Sequence, residues 1–140
     1  MALEVSVEVK GWIERILEKH VAHFEGIELD RILVLFDTSE PCGRWIVKSA
    51  PPNALESSLI QMLHVVEPNA KWNQVRWVIT VNRLLWNIQL TDEEKERWIV
   101  HSLCMIKRDS ESGEVVWSKY PPEIKDFKRI LAVEGLWENA

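Results

Sequence analysis

Between Val9 and Phe24 the apolar residues Trp12, Ile13, Ile16, Leu17 and Val21 recur at helical spacing, and Gly26 follows as a stop. This predicts an amphipathic first helix. Leu29 to Phe36 is almost continuously aliphatic and is broken by Asp37-Thr38-Ser39-Glu40-Pro41 and Gly43, the pattern of a buried strand running into a turn. Trp45 to Lys48 is a candidate second strand. After Pro51-Pro52, the spacing of Leu55, Leu59, Met62, Leu63 and Val66 predicts a second helix over 54–66, closed by Pro68. Val75–Val81 and Leu84–Leu90 are two β-prone stretches flanking Asn82-Arg83, which fits either a hairpin or a strand with a bent extension. Thr91 and Glu94 form a capping box, with Asp92 and Glu93 placed where the helix dipole is positive. The helix they open continues through Trp98, Ile99, Val100, Leu103, Cys104, Met105 and Ile106, apolar nearly all round, so it should be central. Val115–Trp117 returns as a short strand. Pro121-Pro122 suits the first turn of a final helix from Glu123 to about Glu134, with Gly135 at its C′ position.

These elements predict an α/β (α+β) fold, with a small mixed or antiparallel sheet packed by about four helices. At 140 residues the chain reads as one domain, 1–140, able to bury roughly two thirds of the surface its unfolded form exposes. An apolar fraction of 46% against 28% charged residues excludes a disordered chain. No apolar run reaches the length of a membrane span, and Met1–Lys10 lacks the regions of a signal peptide. Two cysteines, Cys42 and Cys104, make no disulfide framework and no CxxC pair. The cytoplasm is the expected setting. A net charge of −5, with basic residues scattered, argues against direct nucleic-acid binding.

There is no phosphate-cradling GxxxxGK[ST], no GxGxxG after a strand and no GxSxG. His20 and His23 lie three apart on the first helix but lack an identifiable third ligand, so two exposed surface histidines are expected. His64, between Leu63 and Val65, reads as semi-buried or capping. Cys104 lies three residues from His101, yet a cysteine on so apolar a helix is an inert small hydrophobe. Cys42 is the more exposed and reactive of the two. The eight tryptophans are the strongest compositional anomaly. Trp12, Trp77, Trp98 and Trp137 fall on apolar faces and should be core. Trp45, Trp72, Trp86 and Trp117 sit among polar neighbours or near loops, which makes them candidates for binding a partner, because a tryptophan buries a large area and still donates one hydrogen bond.

TDEEKERWIVHSLCMI and the later YPPEIKDFKRILAVEGLW resemble the phage metallopeptidase family, whose zincin-like scaffold leads a strand into a helix carrying HExxH. The likeness covers roughly the second half of the chain and is most specific from Glu-Ile-Lys-Asp-Phe through Gly-Leu-Trp. In the family's motif two histidines four apart bind zinc and the intervening glutamate is the general base. His101 stands in the first histidine position, Ser102 in that of the glutamate and Met105 in that of the second histidine. The third ligand would come from Pro122-Glu123-Ile124, where Pro122 replaces the histidine and Glu123 stands in the Asp position. The resemblance therefore implies the scaffold without the chemistry: a pseudo-enzyme with no catalytic residue, no metal and no cofactor. The function expected is that of a non-catalytic phage-type protein in the host cytoplasm. It would bind, as a monomer or small homo-oligomer, a host machine such as the transcription apparatus with its RNA polymerase or a defence complex, and inhibit or modulate it. The alternatives are a divergent metal-dependent peptidase using His101 with Glu123 or Asp126, and a structural or assembly protein of a virion.

Overall fold

The computed structural model describes residues 3–39, 44–108 and 115–119. A short strand β1 (Leu3–Val5) runs into helix α1 (Val7–Lys19), and β2 (Ile32–Asp37) and β3 (Val47–Ala50) follow. Next come α2 (Ala54–Val66), β4 (Trp77–Asn82), α3 (Arg83–Gln89), α4 (Asp92–Cys104) and the hairpin β5 (Ile106–Arg108) with β6 (Val115–Lys119). The main sheet has the order β1-β2-β4-β3. Its central pair, β2 and β4, is parallel with Ile32 opposite Trp77, while β1 and β3 run antiparallel at the edges. The sheet is thus mixed, as one of the two expected arrangements.

Alternation along the central strands divides the core in two. Ile32, Val34 and Phe36 of β2 and Trp77, Ile79 and Val81 of β4 face α1, α3 and α4. Leu33, Leu35 and Val78 face the other way, against Leu59, Ile60 and Leu63 of α2. A parallel pair covered on both sides is the form that a continuous aliphatic run takes. Helix α1 begins at Ser6, whose Oγ accepts from Val9 N at 3.1 Å while its own N–H donates to Val34 O at 2.9 Å. It stops at Lys19 rather than running to Phe24, and Gly26 then takes φ +85 against Val115, where a Cβ would stand 3.0 Å from Cγ2.

Four further expectations shift. The strand expected from Leu29 begins at Ile32 after a single 3-10 turn, and the one expected at Trp45–Lys48 occupies Val47–Ala50. Leu84–Leu90 is not a strand. The buried Asn82 donates from Nδ2 to Trp45 O at 3.0 Å and accepts from Leu85 N at 3.3 Å, so its side chain both anchors the strand end and caps α3. Helix α4 ends at Cys104, and Ile106 already belongs to β5. Four helices are present among the described residues, with α3 unforeseen; the helix expected over 123–134 lies outside them.

Candidate functional site

Helix α4 carries the motif positions. Its start is fixed locally: Glu94 N–H donates to Thr91 Oγ1 and Thr91 N–H to Glu94 Oε1, both at 3.3 Å. Ile99, Val100, Leu103 and Cys104 are then buried against the sheet, and a Lys19–Glu96 ion pair at 3.0 Å ties α4 to α1.

His101 is half-buried, its ring 5.9 Å from that of Trp98. With Glu94, Arg97 and Trp98 it lines an open cleft of about 250 Å³. Ser102 faces the opposite way. It is only 2% exposed, and its Oγ donates to Trp98 O at 2.8 Å. Its carbonyl accepts from Ser49 Oγ of β3 at 2.7 Å, and Ser49 Oγ accepts in turn from Trp77 Nε1 at 2.8 Å. The position where a general base would stand is therefore part of a buried hydrogen-bond chain joining helix to sheet. Met105 forms the C-cap of α4, and its side chain packs against the main core. Pro122, with Glu123 and Asp126, lies outside the described residues. Among the described residues no three His, Cys, Asp or Glu side chains gather as metal ligands would.

A hydrolytic zinc needs three N, O or S ligands with an open position and a base beside it. Here one imidazole is joined by a buried hydroxyl and a core thioether, a soft donor poorly matched to zinc. Among the described residues the donor set does not fit the ion.

The family described as putative phage metallopeptidase matches the chain over residues 1–139. The chain belongs to that family. The match spans far more than the second half, where the motif likeness lies. No curated relative and no solved structure matches the chain.

The other candidates sort by burial. Trp86 is fully buried on α3, its ring edge-on to Trp12 at 6.3 Å, and so belongs to the core rather than to a binding surface. Trp45, Trp72 and Trp117 are partly buried. Lys48 Nζ sits 4.2 Å over the Trp45 ring, Trp72 Nε1 donates to Glu67 at 3.3 Å, and Trp117 packs on the main core. Of the four, only Trp86 is fully closed off, while Trp45, Trp72 and Trp117 keep part of their surface in solvent. Among the tryptophans expected in the core, Trp77 is fully buried, Trp12 and Trp98 are half-buried, and Trp137 lies outside the described residues.

Cys104 is buried in the core, and Cys42 lies outside the described residues. His64 is half-buried, as expected. His20 and His23, however, are half-buried rather than exposed, with ring centroids 6.4 Å apart. His20 Nε2 has no hydrogen-bond partner among the described residues. Burial first, then Lys19 and His23, hold the His20 pKa below its ordinary value, against an opposing pull from Glu96.

A larger cleft of about 390 Å³ opens at the carboxyl ends of β2 and β4, lined by Asp37, Ser39, Arg83, Asn87 and Ile88 among others. Carboxyl ends of parallel strands are common ligand positions in open α/β sheets. Sequence reasoning took Asp37–Gly43 for a turn only, since nothing local reveals that β2 pairs parallel to β4. Arg83 is engaged there by Glu4 at 3.1 Å and Asp37 by the Ser39 N–H at 3.0 Å, so the cleft's charges are largely satisfied within the fold.

Proposed function

We propose that this member of the phage metallopeptidase family is a pseudo-enzyme that acts by binding: a phage-type factor that grips a host protein machine, such as the transcription apparatus or a defence complex, and inhibits or modulates it. The observation that carries this is Ser102. At the family's general-base position the chain places a hydroxyl that is 2% exposed and hydrogen-bonded to Trp98 O, so it has neither a titratable group nor access to a water. The thioether of Met105 in the second ligand position supports the same conclusion. A scaffold kept without its chemistry retains only its surfaces. With a net charge of −5 those surfaces suit a protein partner better than a polyphosphate.

The test combines two measurements on one chelator-free preparation of the full chain. Elemental analysis should find less than about a tenth of an equivalent of zinc, given the donor set. A stoichiometric zinc would instead support a divergent metal-dependent peptidase. Affinity capture from host cells should recover one host complex in stoichiometric amount, and its absence would remove the binding function proposed here. Recovery of ordered assemblies of the chain with virion components would favour the structural alternative.

A further inference from the structure

On the face of the sheet that meets α2, the aliphatic floor stops before the strands do. Leu35 and Val78 are followed two positions on by Asp37 of β2 and Thr80 of β4, which therefore point the same way. Lys48 stands opposite Thr80 on β3, and Leu3 opposite Asp37 on β1. From β1 to β3 this end of the sheet thus presents a leucine, a carboxylate, a hydroxyl and an ammonium. With Trp45 and the first turn of α2 these side chains line a cavity of about 130 Å³.

Thr80 marks the cavity as built for something polar. It is 6% exposed, and among the described residues its hydroxyl has no hydrogen-bond partner. A buried hydroxyl left unpaired costs stability that valine in the same shape would not, so its place here calls for a partner from outside the fold. Lys48 makes no ion pair among the described residues, its Nζ lying 4.2 Å over the Trp45 ring. In α2 the capping box occupies the N–H groups of Asn53 and Glu56 and leaves that of Leu55, which lines the cavity, without a partner in the helix. Asp37 already accepts from the Ser39 N–H at 3.0 Å, and a carboxylate has capacity for more than that.

We propose that this cavity binds a small free α-amino acid, its ammonium toward Asp37, its carboxylate toward Lys48 and the first turn of α2, with the Thr80 hydroxyl bonded between them. Charge selects the class. A simple anion would meet Asp37 and Glu56, and a simple cation would meet Lys48 and the positive end of the α2 dipole. A zwitterion sets each of its charges against the opposite wall. Volume selects the size, since about 130 Å³ between Leu3, Trp45 and Leu55 leaves room for a short side chain only. The site is independent of any host partner the chain binds.

L-Alanine is the probe, followed by amide NMR spectra of the full chain. It should shift the Leu55 and Thr80 resonances with a dissociation constant of about 1 mM, within reach of so few atoms. Acetate and methylammonium, with one charge each, should bind at least about tenfold more weakly. Thr80→Val keeps the shape and removes the hydroxyl, so it should weaken alanine binding at least about tenfold without lowering the melting temperature. Lys48→Gln, on the exposed wall, should weaken binding similarly. No shift with alanine at up to about 50 mM overturns the proposal, as does acetate binding as tightly as alanine. A Thr80→Val chain that binds alanine like the wild type overturns it too. So does one that melts several degrees lower, because the hydroxyl would then be bonded within the fold.

Discussion

Helices α2 and α4 invite comparison because their local code is the same. Each is 13 residues long and each opens on a capping box, Asn53 with Glu56 and Thr91 with Glu94. They lie on opposite faces of one sheet and end up in different states. Helix α4 packs against both the sheet and α1, buries Ile99, Val100, Leu103 and Cys104, and turns acidic residues outward. Helix α2 packs on its face of the sheet through half-buried Leu59, Ile60 and Leu63, beside Leu3 and Trp72, and leaves an uncharged apolar stripe outside. Capping and spacing make a helix. How many neighbours it acquires decides whether a position on it can carry chemistry, serve the core, or wait for a partner. On α4 the neighbours hold Ser102 in the core.

Substitutions that load one helix and spare the other should break this contrast most sharply. Ser102→Glu would place a charge among buried groups and should cost about 3 kcal/mol or more. Gln61→Glu on the outer side of α2 should stay within about 0.5 kcal/mol, both read by urea unfolding at low concentration. Next in size is Ser49→Ala, which leaves Trp77 Nε1 and the Ser102 carbonyl without their shared partner. About 2 kcal/mol of destabilisation is expected, together with a change in tryptophan fluorescence. The caps should be equivalent: Asn53→Ala and Thr91→Ala are each expected to lower stability by about 1 kcal/mol, and a large inequality would show that the two helices do not share one local code.

The smallest effect belongs to His20, at the end of α1 beside α4. Its folded pKa lies below the ordinary 6.5, so the unfolded chain takes up the proton more readily. Its contribution to stability is complete above pH 6.5 and is lost as pH falls through the folded value. Melting temperature followed from about pH 7.5 to about 5.5 should fall in the wild type and fall less in His20→Gln.

The amino-acid order by itself determined what depends on near neighbours. The bounds of α2 followed from Pro51-Pro52 and the leucine spacing, and the start of α4 from Thr91 and Glu94. What depends on residues far apart in the chain became visible in the tertiary structure alone. Leu84–Leu90 has strand-forming side chains, and it is helical because Asn82, held by Trp45 O, caps it. Trp86 lies in a stretch that reads as a strand, and in the fold it is closed in on a helix beside Trp12. The burial of Ser102 rests on Ser49, 53 positions earlier. Local propensity and capping act over three or four residues, whereas burial is settled by which distant surfaces meet.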